Sequence, residues 1–309
     1  MHPKSNARHS LLSALVWLAA AGLLSGCTDP KSDGDDTGGS GLSDPGDPPG
    51  DSPLDLSIGS VPGGKYSEFG EYFDKYVNVF GVHIFATAST PDDKVLHAAH
   101  VLAQYLDNDE DGSPDNAEVI TEMTSEDASM VMFASDADLE SSGIFESTLP
   151  DHFAVQDLYG FETHPEGSTN AGFDATLEEV LHLVSSRGYA SVYPSIFGED
   201  PGTALADAMD LARGGHIDGV PDSYSDAAWY HYDDQTCDYR CQVTEYFYWA
   251  LTSHLGAQSY GDRCEEIAVE WELCTPELLE SGDPAVHGLL TDPQYGLPTV
   301  LPDGRYQAD

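Results

Sequence analysis

Apolar residues recur at helical spacing in four long stretches of the chain. Val95, Ala99, Leu102 and Leu106 follow Thr90-Pro91-Asp92-Asp93, which is a cap, a proline suited to the first turn and two acids at the positive end of a helix dipole. Leu177, Val180, Leu181 and Val184 share one face of a helix over 175–188, with Asp174 or Thr176 to cap it and Arg187 and Gly188 to end it. A further helix over 204–213 stops at Gly214-Gly215. The stretch 243–255 is apolar nearly all round, as a helix at the centre of a core must be. Between these, 67–86 reads as a short helix and then a buried strand over 79–86. Residues 125–134 read as helical, 136–146 as an acidic loop or helix, and 155–160 as a strand end. Short helices are expected over 265–273 and 276–280, and a Pro/Gly-rich segment from Gly296 onward wraps the surface. The pattern predicts a helix-rich α+β fold over 58–309: one compact domain around a central buried helix.

The first 57 residues have a different character. Lys4 and Arg8 precede an apolar run, Leu11 to Leu24, that is too short to span a bilayer comfortably and ends in Leu24-Ser25-Gly26-Cys27. This resembles a bacterial lipoprotein signal over 1–26, which implies lipid on Cys27 and enough acyl chains for stable anchoring. Residues 27–57 are mostly Asp, Gly, Pro, Ser and Thr, the composition of a disordered tether. The expected place is the bacterial cell envelope, facing the periplasm or the exterior, with the membrane as partner through the lipid. The net charge is −44, from 55 acidic against 11 basic residues. That excludes nucleic acid as a partner and favours sites for hard cations. Besides Cys27, the four cysteines Cys237, Cys241, Cys264 and Cys274 read as two disulfides, paired 237–241 and 264–274 if proximity decides. A zinc site of four cysteines competes, although no Cys-x₂-Cys pair is present.

The helix near Asp92 runs into Asp107-Asn108-Asp109-Glu110-Asp111-Gly112-Ser113-Pro114-Asp115-Asn116-Ala117-Glu118. This segment fits the EF-hand calcium loop at Asp107, Asp109, Asp111, Ser113 (through its carbonyl), Asp115 and Glu118, with Gly112 at the turn. Pro114 has no amide to offer a partner loop, so a solitary Ca²⁺ site of structural kind is expected.

Glu178 and His182 stand one turn apart, with Glu179 beside them. A zincin helix has this spacing, and so does a solvated helix face with a Glu–His ion pair, the plainer reading of five residues. Glu245 changes the balance. It is the sole acid of the central helix, and a buried carboxylate must be protonated, ion-paired or bound to metal. The pairing of Glu178-Glu179-Val180-Leu181-His182 with Tyr239 and Glu245-Tyr246-Phe247 resembles the catalytic domain of anthrax-lethal-factor-like gluzincins. The resemblance spans two patches and implies a zincin-like arrangement. Zn²⁺ would sit on Glu178, His182 and Glu245, Glu179 would activate water, and Tyr239 (or Tyr232) would donate to the oxyanion of a peptide or protein substrate. Three departures stand out. Glu178 replaces a histidine, Tyr239 is one residue off the family spacing, and Cys237 and Cys241 flank it. Two carboxylates and a neutral imidazole leave bound Zn²⁺ formally neutral, which implies slow turnover or an alkaline optimum and admits Mn²⁺ or Fe²⁺. The competing function is a non-enzymatic calcium-binding surface lipoprotein. His97 and His100, three apart, can share a metal or be ordinary helix residues, and His216 and His231 are candidates to line a cleft.

Overall fold

The computed structural model describes residues 54–147, 149, 153–170 and 172–308; the signal-like segment, Cys27 and the tether up to residue 53 lie outside the described residues. The first sheet element is a hairpin. β1 (Lys75–Val79) and β2 (Val82–Ala86) pair antiparallel, with Val79 opposite Val82. The turn residues Phe80 and Gly81 have φ of 52° and 92°, and the Asn78 side chain accepts the Gly81 amide. Two consecutive left-handed residues make the tight hairpin turn whose twist matches that of the strands. This corrects the single strand expected over 79–86; Phe80, inside an apolar run, hid the turn.

β3 (Ser129–Phe133) lies parallel to β2, and β4 (Val155–Tyr159) parallel to β3, giving a mixed sheet in the order β1-β2-β3-β4. β3 replaces the helix expected over 125–134. All five of its residues are buried, and a short run buried on both faces carries no period by which strand and helix can be told apart. Ile84, Met130, Met132 and Leu158 face the large core beneath the helices. Phe85, Val131, Phe133 and Tyr159 face a smaller core closed by Tyr66, Phe69 and Phe73, in which Phe69 stacks on Phe85 at 4.0 Å.

α1 (Asp92–Leu106) and α2 (Ala117–Ser125) connect β2 to β3, and α3 (Asp136–Ser142) follows β3 with Ser135 as its cap. α4 (Thr176–Val184) does not stop at Gly188. It passes through a π-helical turn (Ser185–Tyr189) into a further helical turn (Ala190–Val192). Gly188 serves packing there: a Cβ would lie 2.6 Å from Val119 Cγ1 on α2. α5 (Ala204–Ala212), α6 (Tyr239–His254), α7 (Arg263–Ile267), α8 (Pro276–Gly282) and α9 (Pro284–Leu290) follow in chain order. α6 is the central buried helix, with α4, α5, α8 and α9 packed on it. Both disulfides form as proximity suggested, Cys237–Cys241 at the start of α6 and Cys264–Cys274. The expected helix over 265–273 ends at Ile267, because Glu270 to Glu272 pair instead with Trp229 to His231.

The segment 295–308 lies across the acidic loop. Asn108 Oδ1 accepts the Thr299 and Val300 amides, and Gln104 Oε1 accepts those of Asp303 and Gly304. The Tyr306 hydroxyl donates to Asp107 Oδ2 at 2.5 Å.

Overpacking a close contact typically costs about 1–3 kcal/mol, so Gly188→Ala is expected to lower the denaturation midpoint by that much. Gly288→Ala is the control: it sits in α9 with nothing within 4 Å of its Cβ, and it is expected to gain about 0.5–1 kcal/mol. Urea titration of both variants measures the contrast.

Candidate metal centre

The helix that carries Glu178 and His182 is fixed at its start by Asp174. One oxygen of Asp174 accepts the amides of His164 and Thr176 at 2.9 and 3.3 Å, and the other pairs with His97 Nε2 at 2.7 Å; both side chains are 3% exposed. Burial works against the Asp174 charge, but the hydrogen bond and charge of His97 outweigh it and hold its pKa below the usual range. His97 is thereby an anchor of α4. Tyr105 of α1 adds a second tie, donating to the Leu177 carbonyl at 2.8 Å. The helix that carries Glu245 starts at Asp238, whose side chain accepts the Cys241 amide inside the Cys237–Cys241 disulfide.

α4 and α6 bring Glu178, His182 and Glu245 together, each offering a ligand atom within 4.8 Å of the other two. His182 Nε2 lies 3.5 Å from Glu245 Oε1 and 3.9 Å from Glu178 Oε1. The imidazole is 5% exposed, and neither ring nitrogen has a hydrogen-bond partner. A buried, unpartnered polar group costs about 1–3 kcal/mol, so this gap calls for an occupant. Donors about 2.0–2.2 Å from a tetrahedral metal stand roughly 3.3–3.6 Å apart, close to the spacing seen here. The donor set of one imidazole and two carboxylates suits a borderline-to-hard divalent ion.

The charges follow from this enclosure. Burial pushes the Glu245 carboxyl up; His182 offsets part of that, and the Glu178 charge adds to it. Burial opposes charge on His182, yet the carboxylates of Glu245 and Glu178 carry its pKa above the ordinary value. Glu179 is raised as well, by burial and then by the charges of Glu178, Asp157, Glu162 and Glu245. Its Oε2 accepts Gln156 Nε2 of β4 at 2.7 Å.

Tyr239 is placed away from this cluster. Its ring lies 4.9 Å from that of His216 on the α5 side, and its strongest charged neighbours are Asp210, Arg213 and Asp207. The tyrosine beside the centre is Tyr232, its hydroxyl pKa raised by burial and then by the charges of Glu245, Glu270 and Glu178. Sequence reading passed over Glu270. Residues 229–232 and 270–272 pair as a short antiparallel brace: Tyr230 bridges Trp271, the His231 amide reaches the Glu270 carbonyl at 2.7 Å, and the Glu272 amide reaches Trp229 at 3.1 Å. This brace carries both Tyr232 and Glu270. The Glu270 Oε1 accepts Trp249 Nε1 at 3.1 Å, one turn along α6 from Glu245. Burial, and then the charges of Glu245 and Glu178, push Glu270 up to about 8. Its one trace in the sequence is the adjacent Trp271; otherwise it sits among surface acids.

In the acidic loop, Asp107, Asp109 and Asp115 offer ligand atoms within 4.8 Å of one another. Asp107 is fully buried and accepts the Gly112 and Asp111 amides at 2.9 and 3.2 Å. The other expected ligands are not in this group. Asp111 Oδ1 is taken by the Ser113 amide at 2.8 Å, and Glu118 is exposed on the first turn of α2. Asn116, which accepts the Val119 amide and donates to the Tyr295 carbonyl, sets the direction of that turn.

Compared with known protein families, curated proteins and solved structures, the chain finds no match.

Glu245, His182 and Glu270 all hold protons more tightly in the fold than their types do in an unfolded chain. For each, the stabilising contribution is complete below its unfolded pKa and is lost as pH rises through the folded one. For Glu270 that window runs from about 4.3 to about 8. The metal-free protein is therefore expected to lose thermal stability between pH 5 and pH 8, and a Glu245→Gln/Glu270→Gln double variant to lose much of that slope. Melting curves recorded in chelator check it.

Proposed function

We propose that this protein is a metal-dependent hydrolase of gluzincin-like type that acts on peptide bonds, with Glu178, His182 and Glu245 as its metal ligands. The observation that carries the reading is His182: a buried imidazole with no hydrogen bond, facing two carboxylates across a gap of metal-site dimensions. Bound there, a divalent metal supplies a Lewis acid for the scissile carbonyl and lowers the pKa of water.

The chain's own groups take the remaining roles. Glu179, its carboxyl aligned by Gln156 and its basicity raised by burial, accepts the proton of the attacking water. Tyr232, in place of Tyr239, donates to the oxygen on which negative charge develops. Three protein ligands leave room for water and substrate. With two carboxylates in the set, the site's net charge is low, so slow turnover or an alkaline optimum is expected, and Mn²⁺ or Fe²⁺ can replace Zn²⁺.

We read Asp107, Asp109 and Asp115 as part of a Ca²⁺ site that fastens the segment 295–308 through Asp107 and Tyr306. The lipoprotein-like N-terminus would tether the domain to an envelope membrane, with Cys27 as the point of attachment.

Two measurements test the reading. Elemental analysis is expected to find about one Zn, Mn or Fe per chain, lost in His182→Ala and in Glu245→Gln while calcium content and circular dichroism stay as in wild type. Unchanged metal content in both variants would sink the hydrolase assignment. For calcium, chelation is expected to lower the melting temperature and added Ca²⁺ to restore it, as for any ligand that binds only the native state; an indifferent melting curve removes the site.

A further inference from the structure

We infer that the C-terminal segment 295–308 is a positioning element of the metal centre. Gly304 holds the His97 imidazole on Asp174, and through that pair the segment sets the place of Glu178. This rests on the reading above, in which Glu178 is a metal ligand.

The contacts form a continuous series. Gly304 lies against one edge of the His97 ring, where a Cβ would fall 2.2 Å from both Nδ1 and Cε1. Only a glycine lets the backbone come this close. From the same ring, Nε2 pairs with Asp174 Oδ2 at 2.7 Å. The other oxygen of Asp174 accepts the amide of Thr176, the first residue of α4, and Glu178 stands in that first turn. Both side chains of the His97–Asp174 pair are 3% exposed, and Gly304 is part of their cover. An imidazole–carboxylate pair opened to water holds its geometry weakly, because solvent screens the charges and offers each group other partners.

The segment is built to dock and lift as a unit. It belongs to none of the helices or strands. The amides of Thr299, Val300, Asp303, Gly304 and Gln307 are accepted by the side chains of Asn108, Gln104 and Glu110. These acceptors lie on the end of α1 and in the acidic loop, so lifting the segment breaks no backbone ladder. The turn of α1 that it grips also carries Tyr105, the second tie to α4, which bonds the Leu177 carbonyl beside Glu178. With the segment docked, the first turn of α4 is fixed before a metal arrives. With it lifted, Glu178 has to be ordered as the ion binds, and affinity falls accordingly.

The test measures Zn²⁺ affinity by competition with a chromophoric chelator, at one calcium concentration and well below the melting temperature. Gly304→Ala displaces the His97 ring. It is expected to weaken Zn²⁺ binding about tenfold and to speed hydrogen exchange at the Thr176 and Glu178 amides. Gly81→Ala is the control. Gly81 also has a positive φ, and its Cβ would lie 2.7 Å from Thr124 Cγ2, but it sits in the β1–β2 turn. That variant is expected to lose stability while its Zn²⁺ affinity and those two amides stay as in wild type. Gln104→Leu removes the acceptor of the Asp303 and Gly304 amides and adds no atom at Gly304; it is expected to act as Gly304→Ala does, and it carries the test if Gly304→Ala does not fold. Wild-type Zn²⁺ affinity in either folded variant of the segment's docking overturns the inference and leaves the metal reading standing. So does unchanged exchange at Thr176 and Glu178, or an equal loss of affinity in Gly81→Ala. Failure of wild type to bind Zn²⁺ overturns the metal reading and this inference with it.

Discussion

A carboxylate cannot be left alone inside a protein, and that constraint organises this molecule. α6 buries Val243, Tyr246, Phe247, Tyr248 and Leu251 at the centre of the domain and places Glu245 among them at 7% exposure. What the surroundings offer Glu245 is one imidazole, one tyrosine hydroxyl and further acids. Isolated, such a group would cost several kcal/mol, and nothing in the helix requires an acid there for folding. That this cost falls at one position of a largely apolar helix, opposite His182 and Glu178, is what favours the metal reading proposed above.

The rest of the architecture holds the groups that face Glu245. α4 is pinned at its start by the His97–Asp174 pair and by Tyr105. Beyond its end, the π-helical turn settles against α2 through Gly188. α6 begins within a disulfide and a side-chain cap. The 229–232/270–272 brace presents Tyr232 and Glu270. Four separate devices, made of charge, packing, covalent bond and backbone pairing, constrain one small volume. Placement of this kind allows a metal and its partners to be bound without reordering the chain.

The helices were legible because their period is intrinsic: α1, α4, α5 and α6 lie where apolar spacing put them, although the helical chain of α4 runs on past Gly188 and α6 begins at Tyr239, before its apolar stretch. The triad was legible too, since a ligand pair one turn apart and a lone acid in an apolar helix are local patterns. The sheet was less so. β3 is buried on both faces and carries no alternation, and the Phe80-Gly81 turn is concealed by the aromatic at its first position. Glu270 was out of reach for a different reason, and Tyr232 stood only as the alternative to Tyr239. Their juxtaposition comes from pairing between segments some forty residues apart, and no local pattern announces it. Tyr239 misled because the sequence distance to Glu245 was suggestive, whereas its turn of α6 faces α5.

The strap formed by residues 295–308 has a consequence for the order of assembly. Its hydrogen bonds to Asn108 and Gln104 join positions 191 to 200 residues apart. The acidic loop therefore leaves the ribosome long before the segment that covers it. Until that segment arrives, Asp107 lacks the Tyr306 hydroxyl, and the carboxylates around it are tied together by backbone amides alone. Contacts of such long range form late and slowly. The loop is thus finished among the last parts of the fold, and a chain released short of Tyr306 keeps its helices while leaving that corner unlatched.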